Sequence, residues 1–183
     1  MPRAFKILAP AMVPLNRLFP ELFFLFVLGG EDPVDLLQRR WLRAGIAHPL
    51  VERIMRIHVT EEARHLSFAR QYLKRQVPRL SWGRRQVLAF TAPVLFGVMA
   101  RVMLLPSPQL VRRFAIPKSA MRQAWRNGGG ALVRDSVAKP RRLCVELGLV
   151  HPPARALWRA LGVWDADAAG EGTGASAPLT AAA

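Results

Sequence analysis

The sequence predicts an all-α protein built as a helical bundle. Apolar residues recur at spacings of three and four over long stretches, and no run shows the alternation of period two that is typical of a strand. Hydrophobic residues make up 51% of the chain, which excludes wholesale disorder. With 183 residues, the chain is long enough for one domain with its own core.

The first half of the chain predicts two long helices. After an irregular, proline-rich segment over Met1–Pro20, a helix is expected over Glu21–Ala44, in which Pro33 could introduce a kink. A turn over Gly45–Pro49 leads to a second helix over Pro49–Gln76, which Pro78 ends.

The second half predicts one more long helix and several short ones. The third helix is expected over Trp82–Leu105, closed by prolines. Shorter helices broken by proline and glycine follow over Gln109–Trp164, and the Gly/Ala/Ser/Thr-rich residues Asp165–Ala183 are expected to be a disordered tail. The expected organisation is therefore a helical domain over 1–164 and a tail over 165–183.

Charge and cysteine content narrow the functional classes. The formal net charge of +15 would suit an acidic partner, but the arginines are scattered, without aromatic interleaving or a glycine-rich phosphate loop, so no nucleic-acid partner is expected. A single cysteine, Cys144, excludes an internal disulfide and a cysteine-rich zinc site, and it favours a cytoplasmic location.

One apolar run raises the question of a membrane. Val87–Ala100 is mostly apolar but short for a span, and it contains Pro93 and Gly97. A buried core helix is the favoured interpretation, and membrane association is not expected. A non-catalytic helical protein associated with a membrane remains the alternative function.

The second helix carries the residues that point to chemistry. A walk in steps of four and three predicts an inward stripe that contains His58, Glu62 and His65 between apolar neighbours: Val51, Met55, Ala69 and Tyr72. Buried polar groups without partners are costly, and a metal ion would compensate both imidazole and carboxylate. Glu62 and His65 also form the Glu-x-x-His element of di-iron bundles. A metal-free ladder of hydrogen bonds is the competing interpretation.

The first helix should supply a carboxylate to the same layer. In an antiparallel hairpin that turns near Ala47, Glu62 faces either Glu31 or Asp32. Glu31 is the favoured ligand because it lies on a facing stripe with Phe24, Leu28, Val34 and Gln38.

The segment His58-Val-Thr-Glu-Glu-Ala-Arg-His65 closely resembles the second metal-ligand helix of the p-aminobenzoate N-oxygenase family, the AurF-like di-iron oxygenases. The resemblance rests on the pattern His-x-x-x-Glu-x-x-His, and Glu31 falls where a further glutamate ligand of that family is expected. It implies that Glu31, His58, Glu62 and His65 bind iron in a ferritin-like bundle. Such a bundle would use O₂ for N-oxygenation of an arylamine or a similar small amine, and manganese is the alternative metal.

The resemblance covers only the C-terminal half of such an enzyme. Two earlier helices that bring the remaining ligands have no counterpart here, so this chain carries about half of the ligand set. Three explanations stay open: a gene product that begins too late, which is the favoured one, a degenerate remnant, or a homodimer of two half-bundles. A homodimer is expected as the assembly.

Overall fold

Two long helices, α1 (Pro20–Ala44) and α2 (Pro49–Gln76), form an antiparallel hairpin in the computed structural model, which describes residue 14, residues 16–45 and residues 48–164. Proline occupies the start of both helices, where its missing N–H is not needed. Gly45 ends α1 in the left-handed conformation at φ 62°, which glycine adopts without strain. The His48 side chain accepts a hydrogen bond from the Leu50 N–H at the start of α2.

Shorter helices follow a third long one. After a 3₁₀ turn, Val77–Arg79, the helices are α3 (Trp82–Leu104), α4 (Pro108–Arg113), α5 (Lys118–Ala124), α6 (Gly130–Ser136), α7 (Ala138–Glu146) and α8 (Pro152–Ala160). An irregular turn, Trp125–Gly129, joins α5 to α6. No strand occurs in the described part of the chain, so the predicted all-α class is confirmed.

The predicted boundaries of the long helices are confirmed to within one residue. Pro33 does not interrupt α1, which continues through it. The predicted tail, and residues 1–13 and 15 of the predicted irregular N-terminal segment, lie outside the described residues. Residues 16–18 of that segment are helical and not irregular.

The core lies where α1, α2 and α3 meet the C-terminal helices. α1 packs against both α2 and α3, so that buried leucines of α1, α2 and α3 belong to one core, and α8 lies across α3, where the rings of Phe96 and Trp158 have centroids 5.9 Å apart. Both rings are fully buried. This packing holds α1 and α2 from one side.

The third helix is apolar on two faces. One face, with Leu88, Ala92, Phe96 and Ala100, is buried in the core. The other face exposes Val87, Phe90, Val94, Val98 and Val102. The stretch Trp82–Arg113 is long and apolar enough to cross a membrane by length and composition, and 44% of its most apolar window is buried inside the protein.

Candidate metal centre

The hairpin brings α1 and α2 together in matching layers two helical turns apart. Phe24 stacks near Tyr72 with ring centroids 4.5 Å apart, Glu31 meets Glu62 and His65, and Gln38 Oε1 lies 3.0 Å from His58 Nδ1. From one layer to the next, the chain advances by seven residues along α1 and goes back by seven residues along α2, because the two helices are antiparallel. The predicted facing stripe of α1 is therefore confirmed at Phe24, Glu31 and Gln38.

The central layer gathers three groups that can bind a metal. One potential ligand atom from each of Glu31, Glu62 and His65 lies within 4.8 Å of the others. The His65 Nδ1 atom is 3.5 Å from Glu62 Oε2. His58 lies outside this group of three, but its Nε2 atom is 3.4 Å from Glu62 Oε1. All four predicted ligands thus meet around Glu62.

The carboxylates of this layer have unsatisfied oxygen atoms. The Oε2 atoms of Glu31 and Glu62 are buried and have no hydrogen-bond partner. Such atoms are costly unless a proton or a cation compensates them. A carboxylate and imidazole set of this kind suits iron, manganese or zinc, so the residues fit a metal ion.

The pKa of the Glu31 carboxyl group is raised, as expected when two carboxyl groups lie close together. This pKa is raised from 4.5 to about 8, first by desolvation, then by the adjoining carboxyl group of Glu62, and further by the charge of Asp32. Without a cation, this pair therefore holds a proton at neutral pH. A cation would take the place of that proton.

Asp32, the other residue predicted to face Glu62, has a different role. It is buried and forms an ion pair with Arg70 of α2. Burial raises its pKa, and the charge of Arg70 opposes that rise. Of the two candidates, Glu31 is therefore the residue that contacts Glu62. Asp32 instead links α1 to α2 through its ion pair with Arg70.

A second buried aspartate extends this network to α7. Asp35, which is 1% exposed, binds Arg39 at 2.8 Å and Lys139 at 3.3 Å. Sequence patterns alone did not single out these pairs. The available signal was the pair of acidic residues, Asp32 and Asp35, one turn apart on an otherwise apolar helix face.

The expectation that both histidines are buried is wrong for the chain by itself. The side chains of His58 and His65 are 45% and 61% exposed, while that of Glu62 is 14% exposed. The buried residues of α2 are Met55 and Ala69, which belong to the predicted stripe, together with Val59, Leu66 and Leu73, which do not. The physical reason is that the other helices cover α2 from one side, so the histidines lie at the edge of the covered region.

Gln38 is a residue of the site that the sequence placed on the correct stripe without assigning it a role. Its Oε1 atom accepts a hydrogen bond from His58 when Nδ1 carries the proton. The lone pair of Nε2 then faces Glu62. Partners of this kind commonly orient histidines that bind metals.

In this helical bundle, Glu31 faces the segment His58-x-x-x-Glu62-x-x-His65. This arrangement is typical of the class of helical bundles that hold a metal with carboxylate and histidine side chains from facing helices. The particular family follows from comparison. Residues 1–148 match the family described as p-aminobenzoate N-oxygenase AurF. The chain belongs to this family, and its all-α structure agrees with the ferritin-like helical fold of the family.

Relatives of the chain occur in mycobacteria. An uncharacterized protein of Mycobacterium tuberculosis is 34% identical over 162 residues, and one of Mycobacterium bovis is 33% identical over the same length. Each alignment covers 87% of this chain and 48% of the relative. The chain thus spans about half the length of these relatives. No solved structure gives a significant match.

Proposed function

We propose that this chain contributes to a non-haem di-iron oxygenase that uses O₂ to oxidise the nitrogen of an arylamine or a similar small amine. The observation that carries the proposal is the meeting of Glu31, Glu62 and His65 between α1 and α2 with unsatisfied carboxylate oxygens. Membership of the AurF family supports iron as the metal and oxygenation as the reaction class. The proposed location is the cytoplasm.

Each residue of the site has a proposed role. Glu31 and Glu62 would hold the metal ions, because their carboxylates face each other across the hairpin. His58 and His65 act as terminal ligands on either side of Glu62. Gln38 holds the ring of His58 through Nδ1. An iron pair bound here would supply the oxygen chemistry, while the protein supplies geometry.

The metal assignment is tested by iron content. The purified protein is loaded with Fe(II) without oxygen, desalted and analysed for iron per chain. We expect the wild type to retain a fixed number of iron ions per chain, and we expect Glu62→Ala to lose this bound iron. Glu61→Ala is the matched control, because Glu61 is the adjacent carboxylate on α2 but its side chain is 57% exposed. Unchanged iron in Glu62→Ala would contradict the assignment.

The reaction class is tested separately. Oxygen uptake by the iron-loaded protein should rise when p-aminobenzoate or another small arylamine is added, and an oxidised amine should appear. Loading with Mn(II) instead of Fe(II) tests which metal supports this uptake, since carboxylate and histidine sites accept both. Uptake that never responds to an amine would count against an amine as the substrate.

A second candidate function is a non-catalytic protein at a membrane. The exposed apolar face of α3 is the observation that favours it. Membrane fractionation separates the two candidates. Release of the chain by salt or by an alkaline wash excludes an integral span, whereas retention through both washes favours one.

A further inference from the structure

The start of α3 and the turn between α7 and α8 form a cavity that lies outside the metal centre. Its volume is about 330 Å³, and it opens to solvent beside Trp82, which is 78% exposed. A cavity of this volume is at the lower end of the range for small-molecule sites. Its lining combines three polar side chains, Arg85, Gln86 and His151, with three apolar ones, Leu80, Trp82 and Leu149.

This cavity is well separated from the metal centre along α3. Gly29 and Gly30, the two residues before Glu31, lie against Met99 of α3. Met99 follows Arg85 by about four helical turns on the same helix, which is about 20 Å along the helix axis. A small ligand in the cavity would therefore not reach the residues of the metal centre.

Arg85 brings a positive charge to the cavity. It is partly buried, and its Nη2 atom donates a hydrogen bond to the Leu147 carbonyl oxygen at 3.2 Å. Gly148 makes room for this contact, because a Cβ atom there would lie 3.2 Å from the same Nη2 atom. Arg85 forms no ion pair with the described residues, and the nearby Glu146 is paired with Lys74. The charge of Arg85 and its other N–H donors are thus available to an anion.

His151 adds a buried polar atom without a partner. Its Nε2 atom makes no hydrogen bond to the described residues, while its ring packs edge-on against Phe90 with centroids 5.6 Å apart. Burial of such an atom is costly unless a partner offsets it. The start of α8 offers no N–H at its first two positions, because these are Pro152 and Pro153. Side chains must therefore carry the recognition of a ligand here.

We propose that this cavity binds a small carboxylate with an apolar body, which places its carboxylate on Arg85 and its apolar body against Trp82 and Leu149. The guanidinium group of arginine matches the two oxygen atoms of a carboxylate. His151 donates to the same carboxylate when Nε2 carries the proton. The apolar side chains favour an organic anion over inorganic phosphate, which would leave them uncovered. This inference does not depend on the proposed metal-binding function.

The test measures the binding of cyclohexanecarboxylate to the full chain by isothermal titration calorimetry, in a chelator that removes bound metal. Cyclohexanecarboxamide has the same ring without the charge, whereas acetate and phosphate have a charge without the ring. Arg85→Gln and His151→Phe alter the cavity, and His151→Phe keeps a ring against Phe90. Arg79→Gln is the matched control, because it removes the same charge at an exposed position that does not line the cavity.

We expect the wild type to bind one cyclohexanecarboxylate per chain, and to bind the amide, acetate and phosphate at least about tenfold more weakly. Arg85→Gln should raise the dissociation constant for cyclohexanecarboxylate at least about tenfold, and His151→Phe about fivefold, while Arg79→Gln leaves it unchanged. Circular dichroism checks helix content, since Arg85→Gln also loses the hydrogen bond to Leu147. His151→Phe loses no hydrogen bond to the described residues and keeps the test decisive if Arg85→Gln alters the fold.

Three results would overturn the inference. If cyclohexanecarboxylate does not bind, or if both cavity substitutions leave its binding unchanged, Arg85 serves only to bind the end of α7 through Leu147. Acetate or phosphate that binds as tightly as cyclohexanecarboxylate would exclude a ligand with an apolar body. An equal loss of affinity in Arg79→Gln and Arg85→Gln would indicate attraction to the net charge of the protein and no defined site. None of these results bears on the iron assignment, because the protein is tested without metal.

Discussion

The carboxyl group of Glu31 shows how strongly one residue responds to its neighbours. It lies against Glu62 in a partly desolvated position, and its pKa is raised to about 8. A carboxyl group in this state is neutral at pH 7 in the absence of a cation. Without a cation the pair of Glu31 and Glu62 therefore holds a proton, which a bound cation would displace.

This pKa predicts how the stability of the metal-free protein depends on pH. Because the folded-state pKa is above the unfolded value of 4.5, the contribution of Glu31 is fully present below about pH 4.5 and is lost as the pH rises through about 8. Urea unfolding across this range should show falling stability in the wild type. Glu31→Gln, which keeps the shape but cannot ionise, should flatten that fall.

The comparison with Glu31→Gln removes the effect of other titrating groups. Equal slopes in the two proteins would contradict the assignment of the raised pKa to Glu31. Iron competes with the same proton, so the iron affinity of the wild type should increase over the pH range in which metal-free stability decreases.

At the scale of the element, α1 and α3 approach closely at a pair of glycines. A Cβ atom on Gly29 would lie 3.2 Å from Cδ1 of the buried Phe96, and a Cβ atom on Gly30 would lie 3.5 Å from the flexible end of Met99. Both glycines are inside α1. A pattern within α1 does not account for these glycines, because the side chains that they contact belong to α3.

These two glycines make a matched pair of substitutions. Gly30→Ala should stabilise the protein by about 0.5–1 kcal/mol, because alanine is the better helix former and the space exists. Gly29→Ala should lose that gain to the contact with Phe96, and its net effect should be zero or destabilising by about 1 kcal/mol. Urea midpoints measure both, and a Gly29→Ala protein as stable as Gly30→Ala would show that Phe96 yields easily.

At the scale of the whole molecule, the net charge of +15 acts against self-association. Two copies repel each other at long range, and salt screens this repulsion. The dissociation constant of the expected homodimer should therefore fall as salt is raised from about 50 to about 500 mM. Binding to nucleic acid would show the opposite dependence, because salt weakens it.

Sedimentation equilibrium at the two salt concentrations measures this effect. Val98→Asp serves as the comparison, since it changes the charge slightly without touching the exposed apolar residues of α2, Leu50, Ile54 and Ile57. A dimer that weakens in salt would indicate an interface held by ion pairs and not by apolar residues.

The sequence by itself determined the helices and the residues of the candidate centre. Periodicity, proline and glycine are local signals, so the bounds of α1, α2 and α3 followed from them to within one residue. The antiparallel hairpin that turns near Ala47 predicted either Glu31 or Asp32 opposite Glu62, and it placed Gln38 on the same stripe as Glu31. The structure brings Glu31 to Glu62 and adds the contact between Gln38 and His58.

Only the tertiary structure decided what covers each face. The face of α2 that contains Val59 and Leu66 is the buried one, so His58 and His65 lie at the edge of the covered region. The opposite side of α2 exposes Leu50, Ile54 and Ile57. The pairing of Asp32 with Arg70 links the two helices of the hairpin, and the pairing of Asp35 with Lys139 links α1 to α7, which is distant in sequence. Burial and pairing depend on which helices meet, and a pattern within one helix does not contain that information.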